Sequence, residues 1–268
     1  MKQVTNIGLA EVQNVYRGPE GELWELIMGQ QIHIGGFRSS MDLAQRAGVQ
    51  PGWSGVDLAC CNGAGMRVLV RYCRVASMHG VDATEAVIER GRQRCRAEGL
   101  ADRIRFTLAD ACQTGLPDAS FDFVWGEDAW CYVVEKSQLI AEAVRLVKPG
   151  GVIAFTDWIE GSQPLAEDEA IRLMRFMKFP NIQDREGYTA RLSEHGCEVL
   201  LAEDTGRFAP YVDLYVNMLN MQLTYDALRI LAFDKVGLKS LADEMVALQE
   251  LAHAGKIAQG IFVARRKT

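Results

Sequence analysis

Between residues 54 and 157, five short apolar runs alternate with helix-length stretches, and this rhythm restricts the fold more than any other feature. The runs are "SGVDLAC", "SMHGVDA", "IRFTLAD", "FDFVWG" and "VIAFTD". After the first, "GMRVLVRYCRV" puts Met66, Leu69, Val70 and Cys73 on one helical face. After the second, "EAVIERGRQRCRAEG" begins behind Thr84 as a cap and stops at Gly99. Before the fifth, "SQLIAEAVRLVKPGG" reads as a helix closed by Pro149-Gly150-Gly151. Strands alternating with helices of this length imply βαβ units, a parallel sheet and right-handed crossovers.

The flanks read differently. Residues 21–31 and 39–49 read as helices, the second with Ser39 or Ser40 as N-cap and Gly48 at its end. Residues 165–178 and 185–195 read as helical, and "CEVLLAEDT" as a strand. A Met- and Leu-rich helical stretch over about 209–254 reads as a cap over the sheet, before a terminal strand in "KIAQGIFVARRK".

The turn after the first strand runs Asp57-Leu58-Ala59-Cys60-Cys61-Asn62-Gly63-Ala64-Gly65. A dinucleotide site wants G-x-G-x-x-G there, so that backbone N–H groups cradle a pyrophosphate. Ala59 and Cys61 make this a poor phosphate cradle. S-adenosylmethionine has no phosphate. It needs close backbone approach, which Gly63 offers, and acidic partners for a cation, which Asp57 opens. Ala59 and Cys61 are tolerated in such a turn wherever φ stays negative. Adjacent Cys60 and Cys61, read as strand neighbours, point to opposite faces, so no metal site is expected.

Two more carboxylates extend the pattern. Asp82 ends the second strand 25 positions after Asp57, near the spacing at which a carboxylate takes ribose hydroxyls. Asp110 ends the third strand, placed to accept from an adenine amino group, with Ala83 and Ala111 as backbone neighbours. Three successive acidic strand ends form a pattern found in class I methyltransferases.

The ordered set, over about residues 20–268, resembles S-adenosylmethionine-dependent class I methyltransferases. It is most similar to sarcosine/dimethylglycine N-methyltransferases, and next to phosphoethanolamine N-methyltransferases. "MGQQIHIGGF", "FVWGEDAWCYVVEK", "VKPGGVIAFTD" and "AGKIAQGIFVARRK" carry the likeness. The chain departs from the family's glycines at Ala59 and Cys61, from its Glu-Asp pair at Gln30-Gln31, from its histidine at Tyr132 and from its aromatic at Leu23.

The resemblance implies an α/β, Rossmann-like fold with a mostly parallel seven-stranded sheet, helices on both faces and a helical cap. A helical lead over 1–50 and a methyltransferase domain over 51–268 are expected. The resemblance also implies His33 on the cofactor side and Asp128 facing the acceptor. Tyr132, one helical turn on, hydrogen-bonds an acceptor or moves a proton, and Glu127 is an alternative base. Trp125 and Trp130 offer ring faces to a cation, Trp125 on the cofactor side and Trp130 toward the substrate. Met218, in the cap, is a candidate roof for the acceptor.

The leading reading is methyl transfer from S-adenosylmethionine to a small amine, sarcosine- or phosphoethanolamine-like, leaving S-adenosylhomocysteine. C- or O-methylation of a specialised metabolite, with Glu127 or Tyr132 as base, is the runner-up. A cofactor-binding protein without catalysis is the third.

Bulk properties set the partners. The net charge of −6 argues against nucleic acid. No run of about 18 apolar residues suggests a membrane span. Seven cysteines without a Cys-x-x-Cys pair, and a start with no apolar signal region, fit the cytoplasm. A small-molecule acceptor is the expected partner, with a second copy in a homodimer left open.

Overall fold

The computed structural model describes residues 2–268. Seven strands form the central sheet: β1 Ser54–Leu58, β2 Ser77–Asp82, β3 Ile104–Leu108, β4 Phe121–Glu127, β5 Val147–Glu160, β6 Cys197–Asp204 and β7 Ile257–Arg266. Their order is β3-β2-β1-β4-β5-β7-β6. β3, β2, β1, β4 and β5 pair in parallel, and β7 runs antiparallel to both β5 and β6. The expected seven-stranded, mostly parallel α/β fold is what forms.

Three helices precede the sheet: α1 Leu9–Arg17, α2 Pro19–Met28 and α3 Gly36–Arg46. The crossovers carry α4 Ala64–Tyr72, α5 Glu85–Ala97 and α6 Lys136–Leu146. Then come α7 Glu167–Met177 and α8 Arg185–Glu194, followed by α9 Phe208–Met221, α10 Thr224–Ile230 and α11 Lys235–His253 between β6 and β7. A two-residue antiparallel pair joins Lys2–Gln3 to Asn181–Ile182.

Strand alternation sorts the core. On β4, Phe123 and Trp125 face one layer with Met66, Leu69 and Leu43, while Val124 faces the other with Ile140, Phe155 and Phe262. A third cluster, holding Trp24, Trp158, Phe179 and Leu248, packs the lead against the cap.

Three local expectations change. The third helix starts at Gly36, so Ser39 and Ser40 are buried inside it rather than capping it. The crossover helix before β5 ends at Leu146; Pro149-Gly150-Gly151 lies within β5, where the register jumps between Phe121 and Phe123. Thr84 makes no side-chain cap; its N–H instead donates to Asp82 Oδ1 at 2.8 Å. No helix among the described residues is long and apolar enough to cross a membrane.

Candidate active site

Because β3, β2, β1 and β4 run parallel and side by side, their carboxyl ends open on one edge of the sheet, where such folds bind ligands. A cavity of about 200 Å³ lies there, and Asp57, Asp82 and Asp110 all line it.

The loop that begins this edge is strained. Ala59 and Cys61 sit at φ 63° and 48°, and Gly63 at 71°. The expectation of negative φ at Ala59 and Cys61 fails, because the neighbouring strand dictates the path. Cys60 N–H donates to Val81 O at 3.0 Å and Cys61 N–H to Asp82 Oδ2 at 2.9 Å. Each left-handed non-glycine residue costs about 1–2 kcal/mol. Cys60 and Cys61 also lie past the end of β1, so the strand-alternation argument applied to them does not hold.

Two glycines fit this turn for different reasons. A Cβ on Gly65 would meet Glu127 Oε2 at 2.1 Å, so its absence lets that carboxylate lie against the first turn of α4. A Cβ on Gly63 would meet Phe106 and Met66, at 2.7 and 2.8 Å. Gly63 therefore packs inward and does not wall the cavity, contrary to the expectation of close ligand approach.

The lead braces the loop. Asn62 Nδ2 donates to Gln30 O at 3.1 Å, and Arg67 donates to Asn62 O at 2.7 Å and Gln30 Oε1 at 2.8 Å. Gln31 Nε2 donates to Ser40 Oγ at 2.7 Å. Burial pushes the Asp57 carboxyl well above its usual range, and nearby Glu127 and Asp82 add to that. Asp82 is raised by burial too, against the backbone N–H groups it accepts. Asp110 Oδ1 accepts from Cys112 N–H at 2.8 Å, which turns the chain at Ala111.

At the far end, β4 delivers Glu127 and Asp128. The Glu127 side chain is largely covered and its Oε1 has no hydrogen-bond partner; His33 Nε2 stands 3.4 Å from it. Asp128, at φ 49°, is spoken for: Oδ2 accepts from Ile34 N–H at 2.8 Å, and Gln259 Nε2 donates to both oxygens at 3.0 and 2.9 Å. Asp128 reaches the cavity wall, but its carboxylate ties β4 to the lead and to β7.

Tyr132 also lines the cavity, and its hydroxyl pairs with that of Tyr16 at 3.1 Å. Burial, then the neighbouring Tyr16, push the Tyr132 phenol well above its ordinary range. A phenol shifted in that direction holds its proton more tightly, which suits Tyr132 to hydrogen bonding and weakens it as a base. Beneath this turn Asp157, raised to about 6 by burial, accepts from Cys131 N–H at 3.0 Å and from the Tyr188 hydroxyl.

Three further residues lie away from where the sequence pattern places them. Trp125 is fully buried against Phe123 in the sheet core, and no part of it lines the cavity. Trp130 is fully buried too, stacked on Phe155 at 4.0 Å between ring centroids, so it offers no face to a substrate. Met218 packs against the cluster between lead and cap, away from the cavity. The chain puts α1 at the site instead, where Leu9, Val12 and Tyr16 form a wall. Gln13 Nε2 fixes that helix to Ala83 O at 2.6 Å, and Arg90 donates to Tyr16 O at 3.0 Å. The available signal was the spacing of Leu9, Val12 and Tyr16.

Residues 56–155 match the family model for a methyltransferase domain. The fold is that of class I methyltransferases. Among relatives, the chain is 27% identical over 201 residues to 27-O-demethylrifamycin SV methyltransferase of Amycolatopsis mediterranei, covering 70% of this chain and 74% of that protein. It is 27% identical over 167 residues to a sterol 24-C-methyltransferase of Yarrowia lipolytica, covering 60% of this chain and 44% of that one. The chain thus spans under half the length of some curated relatives it matches.

Among solved structures, phosphoethanolamine N-methyltransferase 2 of Haemonchus contortus superposes with a TM-score of 0.83 at 19% identity, over 95% of this chain and 59% of that one. The [4+2]-cyclase SpnF superposes at 0.80 and 20% identity, over 100% and 99%. The cyclase shows that this fold serves more than one reaction.

Proposed function

We propose that this chain transfers a methyl group from S-adenosylmethionine to the nitrogen of a small-molecule amine, releasing S-adenosylhomocysteine. The observation that carries the reading is the convergence of Asp57, Asp82 and Asp110 on one cavity, beside a loop too poor in glycine to cradle phosphates. The residues present suit such a donor: the unpartnered, buried Glu127 Oε1 and the Asp57 carboxyl await a cation. When bound, the donor supplies an already activated methyl.

The chain's part is positioning and exclusion of water. Asp82 takes ribose hydroxyls, and Asp110 with Ala111 takes the adenine edge. Ala59, Cys61 and Ala83 supply backbone walls, and Asp57 and Glu127 oppose the ammonium. His33 braces Glu127. Tyr132, backed by Tyr16, donates a hydrogen bond at the acceptor end, and Asp128 holds the wall that carries them. An amine arriving neutral attacks with its own lone pair, so no side-chain base is required.

A hydroxyl or carbon acceptor requires a base. The His33–Glu127 approach of 3.4 Å supports that second reading, which predicts an acidic limb in the pH–rate profile. The cysteines, all free thiols, support a reducing, cytoplasmic setting, and the net charge of −6 supports a small-molecule rather than a nucleic-acid partner. Calorimetry with S-adenosylhomocysteine followed by turnover on an amine panel tests the proposal. No binding overturns it; tight binding without turnover on any nitrogen, oxygen or carbon acceptor favours a protein that holds the cofactor without methyl transfer.

A further inference from the structure

We infer that the acceptor end of the cavity is built for an amine bearing no phosphate or carboxylate, an inference that rests on the methyl-transfer reading and narrows it. Beyond the carboxylates assigned to the donor, the wall includes Tyr16, Ile32, Tyr132, Val133 and Val134, with the neutral amides of Gln31 and Gln138. These offer hydroxyls, ring faces and hydrocarbon. The cavity carries six acidic side chains, Asp57, Asp82, Asp110, Glu127, Asp128 and Glu135, and each that is ionised repels an anion. His33 is the one basic side chain among the described lining residues, and Glu127 faces it.

Lys136, Arg67, Arg90 and Arg207 already have partners. Lys136 Nζ donates to Cys131 O at 3.3 Å and to Val133 O, which turns it under the wall rather than into the cavity. Arg67 is taken by Asn62, Gln30 and Glu98. Arg90 donates to Tyr16 O, and Arg207 is held by Ser39 and Asp42. A phosphate entering would lose its water and find no charge to replace it. A methylated ammonium product, in contrast, meets carboxylates and tyrosine faces. Glu127, with a side chain only 7% exposed and an unpartnered Oε1, is the carboxylate already set against the donor's ammonium, and it adds to the negative charge of the cavity.

The acceptor chemistry therefore differs from that of the Haemonchus contortus neighbour, whose structure holds phosphomonomethylethanolamine. It also differs from that of the geranyl diphosphate C-methyltransferase neighbour, whose structure holds magnesium with its diphosphate. On this inference the acceptor is an amine related to sarcosine and phosphoethanolamine but without the anion that each carries.

The test uses the purified full chain loaded with S-adenosylhomocysteine, with choline and phosphocholine as probes in calorimetry. Choline is expected to bind at least 30-fold more tightly than phosphocholine. With S-adenosylmethionine, dimethylethanolamine should exceed its phosphate ester in kcat/KM by at least 100-fold. Val134→Lys adds an ammonium at the mouth of the cavity and should tighten phosphocholine at least 10-fold without tightening choline. Wild-type chain that binds phosphocholine as tightly as choline, or binds neither probe, overturns the inference while leaving donor binding and the methyl-transfer reading intact. Failure to bind S-adenosylhomocysteine is a different result, and it removes the methyl-transfer reading itself.

Discussion

Ala59 and Cys61 hold backbone angles that glycine reaches without strain, and Ala59 has no side-chain bond to compensate. Replacing Ala59 with glycine removes about 1–2 kcal/mol of strain and adds about 0.5–1 kcal/mol of chain entropy cost. Ala59→Gly should therefore stabilise the chain by about 0.5–1 kcal/mol in urea unfolding. Ala242→Gly, inside α11, should lose about 1 kcal/mol by helix propensity alone. A loss at Ala59 equal to that at Ala242 would sink the strain assignment. The acidic strand ends were legible because they depend only on where a strand stops. The φ angles were not, because hydrogen bonds to Val81 and Asp82, more than 20 residues away, impose them.

Asp57 carries a second prediction at this scale. Its carboxyl is raised by burial, so the folded state holds a proton that the unfolded chain has released. The cost of ionising it is absent below the ordinary carboxylate range and grows as pH rises toward its shifted pKa. Asp57→Asn should thus be more stable than wild type at neutral pH, with the gap closing near pH 4. Affinity for the cationic donor should move the other way. Wild-type binding of S-adenosylmethionine should tighten as pH rises through the raised pKa, and Asp57→Asn should flatten that slope. Equal slopes in calorimetry across pH would show that Asp57 does not face the donor.

At the scale of elements, the tip of β4 is sewn to its surroundings through Asp128. Its carboxylate satisfies Ile34 N–H and the fully buried Gln259 amide. Asp128→Ala leaves Ile34 N–H unpaired and leaves Gln259 Nε2 with only Ile34 O, at 3.1 Å, for roughly 1–3 kcal/mol per lost pairing. A loss near 3 kcal/mol in urea unfolding, together with weaker donor binding, is expected; unchanged stability would return Asp128 to a purely acceptor-facing role. Sequence placed Asp128 at the site but not its partners, since Gln259 lies on a strand 131 residues away. The same limit explains Trp125 and Trp130. A strand end exposes some side chains and buries others, and only the register against β1 and β5 decides which. The cap was readable as helical from its apolar periodicity, yet Met218 turned to the lead because the packing of α9 on α2 is set by tertiary contact. α1 falls within the expected helical lead, but with only Val12 and Val15 buried its sequence carried no sign of its place at the cavity.

Over the whole molecule, the cavity is closed by segments that lie far apart in the chain. α1 supplies Leu9, Val12 and Tyr16, the segment after α2 supplies Gln30 and His33, the sheet supplies its carboxyl edge, and the turn after β4 supplies Tyr132 and Val133. A ligand seated among them must couple the lead to the sheet, since both surround it. Ligand at 100 times its Kd stabilises the folded state by about 2.7 kcal/mol. For a chain of this size that corresponds to a rise in Tm of roughly 5–10 °C with S-adenosylhomocysteine. A chain beginning at Pro19 loses the α1 wall, the Gln13–Ala83 bond and the Tyr16–Tyr132 pair. Its Kd should rise about tenfold, cutting the coupling by about 1.4 kcal/mol and the Tm shift by about 3–5 °C. The truncated chain without ligand should change little in Tm, because α1 buries few residues. Differential scanning of both chains with and without ligand separates the cases. Equal ligand-induced shifts would mean that α1 lies beside the donor without holding it, and the crevice would then be a property of the sheet alone.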